Sequence, residues 1–365
     1  MSAVRSSRRW HSKSRTGCQG CKSRKVKCDE HRPSCRNCLK RATKCDFLDS
    51  EPPVPLSISG SQNLELELLH NFTVATAATL STETQTRDMW RVAVPQIGFG
   101  TRYIMDCILS LSALHMARSD IKRRDLLLSQ ANVHLNASLK EALPLIPSVN
   151  KSNCDKLFLF SVLVLYINLA SPRREEDMLV LESDKMPQWL FLLRGINPIV
   201  EPYEEALVSS SVSLIYRATE SSYQFWFSHT PAEDLNLDDL EAGIRIRTQN
   251  DEAKQKVLID TTQKMRRSYT FLHRLGDEAR IRGFYTFLFE ISDEYLTLLK
   301  NLDSDSLCIF AFFSVLIQDF EKYWWAKGWG KHLIKRIYFL LDEEYRIYIR
   351  WPIEQIGWVP PYTHS

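Results

Sequence analysis

The chain has 365 residues, nine of them cysteines, and its formal net charge of +3 hides a strongly uneven distribution. Residues 1–45 hold 14 Lys and Arg against two acids, whereas the rest of the chain holds more acids than bases. Because the basic first 30 residues flank no apolar core, they do not resemble a secretory signal, which argues against a disulfide framework.

Residues 1–15 are predicted to form a basic, disordered arm. The arm carries five cations: Arg5, Arg8, Arg9, Lys13 and Arg15. This composition fits a nuclear import signal, a phosphate-binding arm, or both, and it does not separate these roles.

Six cysteines follow in two halves that share the spacing C-x2-C-x6-C, namely Cys18, Cys21, Cys28 and Cys35, Cys38, Cys45. A C-x2-C step lets two thiolates reach one ion from a single turn, as structural zinc sites commonly do. Tetrahedral zinc needs four ligands, so six thiolates can hold two ions only if two cysteines bridge them. The spacing therefore predicts a site for two structural Zn²⁺ ions that all six cysteines ligate.

Four cations lie between the second and third cysteines: Lys22, Arg24, Lys25 and Lys27. A compact, strongly basic head is attracted to a phosphate backbone through counterion release. The metal would fix the direction of these side chains, and a cation at a helix end in the major groove can reach guanine O6 and N7. A basic run alone would also suit an acidic ligand or membrane surface, but a basic run inside a zinc cluster favours DNA.

The stretch from Gly17 to Phe47 closely resembles the fungal Zn2Cys6 binuclear zinc-cluster transcription factors. The six cysteine positions, the basic segment from Lys22 to Lys27 and Pro33 all match the family pattern. The resemblance implies that Cys18 and Cys35 bridge the two ions. It also implies that one zinc is completed by Cys21 and Cys28, and the other by Cys38 and Cys45.

The same resemblance implies a nuclear protein that reads a CGG triplet in double-stranded DNA. Lys25 occupies the family's main base-contacting position and Arg24 the accessory one. The remaining cations of the head are expected to contact phosphates or to be solvated: Lys22, Lys27, Arg36, Lys40 and Arg41.

Beyond the zinc module at 16–47, residues 48–62 are rich in proline, serine and acids and are predicted to be a linker. Residues 63–365 show apolar residues at helical spacing and few glycines, so we expect a large, all-helical regulatory domain. The predicted fold is therefore mostly α, with a small zinc-cluster head.

Several segments of the regulatory domain have the pattern of amphipathic or buried helices. These segments are Leu64 to Ala75, Phe99 to Arg118, Asp125 to Leu143, Leu157 to Ala170 and Leu307 to Ile317. The most hydrophobic of them, Leu157 to Ala170, is shorter than the roughly 20 residues that span a bilayer. We therefore expect a buried core helix there and no membrane span.

Short motifs of the body resemble the helical regulatory region of the zinc-cluster branch that contains the sterol uptake control proteins. The motifs occupy 64–73, 89–99, 109–117, 189–195 and 351–360. This resemblance implies a helical bundle, and in that branch the carboxy-terminal domain binds a sterol.

Other features of the body leave alternatives open. The late aromatic residues from Tyr323 to Tyr348 suit either an apolar ligand pocket or an ordinary helical core. The acidic segment from Ala232 to Gly243 suits either an activation segment or a helix with packed leucines.

The remaining polar and sulfur-bearing residues have ordinary structural interpretations. His115 and His134 are expected to be satisfied core histidines, and three isolated cysteines are expected to be small buried hydrophobic residues: Cys107, Cys154 and Cys308. No nucleophile elbow, phosphate-binding glycine loop or HExxH motif occurs in the sequence, so we do not expect an enzyme.

The sequence thus predicts a zinc-dependent transcription regulator, of the RNA polymerase II type, that reads CGG elements in the nucleus. One alternative is a regulator whose helical domain senses a sterol or another apolar metabolite and controls the head. Another is a zinc-stapled interaction module without DNA activity. A homodimer, a transcriptional coregulator and an apolar ligand all stay open as partners.

Overall fold

The computed structural model describes residues 16–31, 34–47, 60–81, 83–181, 187–231, 233–274 and 277–361. The chain separates into two compact units, Met1–Leu64 and Glu65–Ser365. We call described residues 16–47 the head and the second unit the body. The described residues are mostly helical and contain no β-strand, which confirms the predicted fold class. The predicted division into arm, zinc module, linker and regulatory domain stays a prediction, because most of the arm and linker lies outside the described residues.

The head contains two short helices of five residues each: α1, Gln19–Ser23, and α2, Arg36–Lys40. Each begins directly after the first cysteine of one half of the repeat, so Cys18 and Cys35 occupy equivalent N-cap positions. Such short helices are marginal in water without tertiary support. The support here comes from the cysteine cluster that both helices enclose.

The first part of the body is built around one almost fully buried helix. Its helices are α3 Gly60–Asn71, α4 Thr84–Asp88, α5 Val94–Gly100, α6 Arg102–Ser119, α7 Arg124–Ala142, α8 Cys154–Ala170 and α9 Gln188–Val200. Helix α6 packs against α5, α7 and α8, and its residues Tyr103 to Leu114 are all buried. A helix that is buried on all sides in this way forms the centre of a bundle rather than its surface.

The second part of the body surrounds a similar central helix, α16. Its helices are α10 Glu204–Val208, α11 Ser213–Ser228, α12 Leu235–Arg247, α13 Glu252–Arg274, α14 Asp277–Glu290, α15 Asp293–Lys300, α16 Ser304–Gln318, α17 Trp329–Leu340, α18 Glu343–Arg346 and α19 Arg350–Ile356. Helix α16 packs against α13, α14, α17 and α19. Polar N-caps fix several helix starts, since Asp234, Ser292 and Asp303 each accept a backbone N–H from the first turn.

The predicted helices are present, with one difference at 99–118. The chain there is extended at Thr101 and divides the segment between α5 and α6. Gly98 lets α5 pack closely against α6, because a Cβ at this position would lie 3.1 Å from both Ile108 Cδ1 and Met105 Cε. None of the described helices combines the length and the apolar character needed to cross a membrane.

Candidate metal centre and nucleic-acid interface

The six cysteines of the repeat form the buried core of the head. Each is at most 4% exposed, and Phe47 packs against the cluster. A segment of this size is too small for an ordinary hydrophobic core, so its stability has to come from another source. The buried sulfur atoms converge on common points, so metal ions bound there can supply this stability.

The sulfur atoms divide into two groups that could each hold one ion. In each group the four Sγ atoms all lie within 4.8 Å of one another. The groups share two cysteines, Cys18 and Cys35, and the remaining members are Cys21 and Cys28 in one group and Cys38 and Cys45 in the other. This is the sharing that two tetrahedral ions need when only six thiolates are present.

The sulfur–sulfur distances have the size that zinc requires. Cys18 Sγ lies 3.6 Å from Cys35 Sγ and 3.8 Å from Cys38 Sγ, and Cys21 Sγ lies 3.6 Å from Cys35 Sγ. Thiolates bound at about 2.3 Å to a tetrahedral zinc are about 3.8 Å apart. The donor set therefore fits two Zn²⁺ ions in both chemistry and spacing.

Backbone N–H groups also point at the sulfurs. Cys18 Sγ accepts from the Cys21 N–H at 3.3 Å, and Cys35 Sγ accepts from the Cys38 N–H at 3.4 Å. Cys28 Sγ accepts from the N–H groups of Cys18 and Glu30, both at 3.4 Å. Donors of this kind favour the thiolate, which is the form that binds metal.

Burial acts in the opposite direction. It raises the pKa of the Cys35 thiol to about 12, because a thiolate in a desolvated cluster lacks water to stabilise its charge. Two Zn²⁺ ions supply the positive charge that keeps such thiolates deprotonated. The metal therefore stabilises the packed head, and its role is structural.

Helix α1 ends in a left-handed turn at Lys25. Lys25 has φ +55°, a conformation that favours glycine. Its N–H donates to the Lys22 carbonyl and the Val26 N–H donates to the Cys21 carbonyl, both at 3.1 Å. These two hydrogen bonds define a Schellman C-cap, with lysine where glycine is usual.

Helix α2 ends in the same way. Ala42 has φ +48°, its N–H donates to Leu39 O, and the Thr43 N–H donates to Cys38 O, both at 3.1 Å. The repeat in the cysteine spacing is thus a repeat in backbone structure. Lys25 and Ala42 occupy equivalent positions at the ends of α1 and α2. Of these two helix ends, α1 carries a long cationic side chain and α2 only a methyl group.

The predicted DNA-contacting cations do not all have the same environment. Lys22, Lys25 and Lys27 are exposed. The Arg24 side chain is partly buried and donates from Nη2 to Cys38 Sγ and from Nη1 to Thr43 Oγ1, both at 3.2 Å. Arg24 therefore links the first half of the repeat to a cysteine of the second half.

Two further polar contacts hold the head together. The Asp46 carboxylate accepts the Gln19 N–H at 2.9 Å, and this hydrogen bond lowers the pKa of Asp46. Asn37 Nδ2 donates to the Lys27 carbonyl at 2.7 Å. Neither Asp46 nor Asn37 was identified from the sequence. The usable signal was an Asp or Asn side chain near a short helix, since such side chains often bond to nearby backbone groups.

The other predicted phosphate contacts, Arg36, Lys40 and Arg41, are exposed on or beside α2. The Asp29 carboxylate accepts the Arg36 N–H at 3.1 Å and lies 3.8 Å from Arg36 Nε. The basic arm and Pro33 lie outside the described residues.

Comparison with known proteins agrees with this geometry. The family model of the fungal Zn(2)-Cys(6) binuclear cluster domain matches residues 16–53. The chain carries a zinc-cluster domain. Its cofactors are two Zn²⁺ ions, and the matched segment contains all six cysteines of the repeat. The individual roles of the ligands and of the basic residues stay predictions.

Two relatives extend the similarity beyond the zinc-cluster domain. A Zn(2)-C6 fungal-type transcription factor of Gibberella zeae is 24% identical to this chain over an alignment of 432 residues, gaps included. The alignment covers 95% of this chain and 86% of the relative. The Zn(2)-C6 fungal-type transcription factor afumD of Aspergillus fumigatus is 29% identical over 206 residues, which cover 51% of this chain and 53% of the relative. Neither name refers to sterols, so the predicted sterol branch stays a prediction.

The two body histidines named in the sequence analysis, His115 and His134, have core partners, as expected. His134 Nδ1 lies 2.7 Å from Asp106 Oδ1, and the same carboxylate accepts Nε and Nη2 of Arg102. The His115 ring bonds to Thr76 Oγ1 at 2.9 Å and stacks on Trp324. The three isolated cysteines are fully buried, which confirms their interpretation as small hydrophobic residues.

The aromatic and acidic segments of the body are part of its packing. Trp325 and Trp329 are buried, whereas Tyr323 lines a cavity. The acidic segment lies largely on α12, where Leu237 and Leu240 are fully buried and Leu235 is 79% exposed. Two of its three leucines therefore pack as a helix face.

Proposed function

We propose that this protein is a zinc-dependent, sequence-specific DNA-binding transcription regulator that reads CGG-type elements in the major groove. The proposal is supported by the zinc-cluster domain and by two relatives that are named as transcription factors. The observation that carries it is the placement of Lys25. An exposed lysine sits at the left-handed end of α1, next to a cluster that fixes this helix on two ions.

Zinc orients the reading helix and takes part in no reaction. Cys18 and Cys35 bridge the ions, and each begins one helix of the head. With α1 fixed, the Lys25 ammonium is presented beyond the helix end, where it donates to guanine O6 and N7. Lys22 and Lys27 flank this position and contact phosphates.

The charge distribution supports the same assignment. Residues 1–45 contain 14 Lys and Arg but only two acidic residues, whereas the rest of the chain has more acidic than basic residues. Non-specific attraction to phosphate therefore comes from the amino-terminal segment and falls steeply with salt. We assign the protein to the nucleus on this basis, with a second copy and a coregulator as its protein partners.

The left-handed turn allows a sharp test of Lys25, because Lys25→Gly removes the side chain and relieves the backbone conformation together. A non-glycine residue in the left-handed conformation costs about 1–2 kcal/mol, which the change to glycine relieves. Glycine loses more conformational entropy on folding, and this offsets about 0.5–1 kcal/mol of the gain in stability. The stability of the head should thus be kept or slightly raised. Affinity for a CGG site should fall by about 1–3 kcal/mol, with little change on random DNA.

Ala42→Gly is the matched control, because it makes the same backbone change at the equivalent end of α2. It should keep two zinc ions and full CGG affinity. Fluorescence anisotropy on CGG and scrambled duplexes measures both variants. Equal losses on the two duplexes for Lys25→Gly would make Lys25 a phosphate contact and overturn its role as the base reader.

The second candidate function is ligand sensing by the body. The observation that favours it is a cavity of about 230 Å³ inside the second unit, lined by residues such as Leu165, Ser222 and Tyr285. An occupant of this cavity would stabilise one arrangement of the body and so regulate the protein. Its chemical class is argued below.

A further inference from the structure

The body cavity lies where helices from both parts of the body converge. Its wall includes Trp90 from the segment before α5, Tyr166 on α8, Leu193 on α9, Ser222 on α11 and Thr286 on α14. These elements are far apart in sequence, so a molecule bound here would touch both parts of the body at once. This placement suits a ligand that changes how the two parts pack.

The size of the cavity limits what it can hold. Its volume is about 230 Å³. A buried apolar cavity of roughly 150 Å³ accepts benzene, whereas sites for drug-sized molecules start at about 300 Å³. The cavity therefore fits a molecule of one or two rings.

The wall favours an aromatic occupant. Apolar surface predominates among the lining side chains, which include Leu165 and Leu193. Trp90 meets Tyr166 edge to face with ring centroids 5.8 Å apart, and Tyr223 and Phe289 form a second pair at 5.9 Å. Rings arranged in this way offer both edges and faces to another ring.

Three hydroxyl groups of the wall, those of Ser222, Thr286 and Thr219, present acceptors rather than donors. Ser222 Oγ donates to Ala218 O at 2.6 Å, Thr286 Oγ1 to Arg282 O at 2.7 Å, and Thr219 Oγ1 to Ile215 O at 3.1 Å. Each proton is thus used within its own helix, and the remaining lone pairs accept. A ligand that brings an N–H or O–H of its own can therefore donate to these oxygens.

The charged residues at the cavity balance each other. Among the described lining residues, Glu83 is the acid and Arg282 the base. One charge of each sign gives no net preference for an anion or a cation. The cavity therefore favours a neutral molecule.

We propose that this cavity binds a neutral aromatic molecule of one or two rings that carries an N–H or O–H donor. The inference deepens the ligand-sensing candidate and does not depend on DNA reading. Indole is the probe, because it has two fused rings and one N–H. Benzofuran has the same shape with an oxygen in place of the N–H.

The experiment is calorimetric titration of the zinc-loaded full chain with each probe. Indole should bind about fivefold more tightly than benzofuran, the difference expected from one hydrogen bond. Replacing all three acceptors, in Ser222→Ala with Thr286→Val and Thr219→Val, should bring indole to the benzofuran level. Equal affinity of the two probes for the unaltered protein, or no indole binding, would overturn the proposal.

Filling the cavity gives the second arm. Ala218 is an exposed residue on the cavity wall, so Ala218→Phe introduces a ring without disturbing the core. It should abolish indole binding, whereas Arg217→Phe adds the same ring beside it on α11, outside the lining, and should leave binding intact. Unchanged indole binding by Ala218→Phe would overturn the site, and displacement of indole by ergosterol would overturn the limit of one or two rings.

The same titrations, repeated with a CGG duplex, separate this inference from the functions proposed above. Indole binding that changes DNA affinity supports both the site and ligand sensing. Indole binding without any change in DNA affinity supports the site and overturns sensing. Loss of CGG recognition in a protein that still binds indole overturns DNA reading alone.

Discussion

At the scale of single residues, Arg24 shows how the fold can give a basic residue a second role. Its guanidinium donates to Cys38 Sγ and Thr43 Oγ1, while its neighbour Lys25 is exposed. A donor to a metal-bound sulfur orients the ligand and shields its charge. Arg24 is therefore expected to position Cys38 in addition to any contact with DNA.

We predict that Arg24→Ala weakens zinc binding about tenfold, the usual scale for losing a hydrogen bond to a ligand. The measurement is zinc release to a chromogenic chelator, with no DNA present. Arg41→Ala is the control, because Arg41 occupies the equivalent position at the end of α2 and is exposed. The same zinc-release rate in both variants would show that Arg24 does not support the cluster.

The grouping of the six cysteines could be predicted from the sequence, whereas the position of Arg24 could not. Ligand spacing is a local property, since one turn of backbone places Cys18 and Cys21 together. The contact between Arg24 and Cys38 depends on how the two halves pack, and neither spacing nor composition records this. The left-handed turn at Lys25 was likewise hidden, because lysine is an unusual residue there.

At the scale of elements, α1 and α2 depend on the metal. Each helix has five residues and begins at a cysteine shared by the two sulfur groups. Most of the body helices are longer, and they belong to a unit with its own buried apolar core, so we do not expect them to need zinc. Removal of the metal should consequently unfold the head and leave the body helical.

Cys18→Ala tests this dependence. Because Cys18 belongs to both sulfur groups, the variant should lose both ions, and α1 and α2 should unfold. Zinc stoichiometry by mass spectrometry under non-denaturing conditions measures the result. Cys107→Ala, a change at a buried cysteine of α6, should keep two ions, and two ions retained by Cys18→Ala would contradict the bridging assignment.

The helices of the body were predictable to the extent that their periodicity is local. The segments around α7, α8 and α16 follow from apolar spacing and from the prolines after α7. The break at Thr101 and the close approach of α5 to α6 at Gly98 were not predicted, because apolar spacing does not record tertiary contacts. The cavity was also beyond sequence reasoning, since its wall combines residues from distant helices.

At the scale of the whole molecule, the chain joins a compact basic reader to a larger acidic helical body. In the proposed function, the zinc-cluster domain provides affinity and specificity for DNA, and the body provides the volume in which a ligand or partner acts. The two relatives, which are named as Zn(2)-C6 fungal-type transcription factors, are 24% and 29% identical to the aligned parts of the chain. The central claim is that the head, held by two ions, reads a base sequence.

Selection of binding sites from random duplex DNA by the zinc-loaded full chain tests that claim most directly. We predict enrichment of CGG triplets, and loss of this enrichment in Lys25→Gly but not in Ala42→Gly. Two triplets at a fixed spacing would indicate a dimer, and one triplet a monomer. No enrichment by a protein that carries both zinc ions would contradict the account and make the head an interaction module.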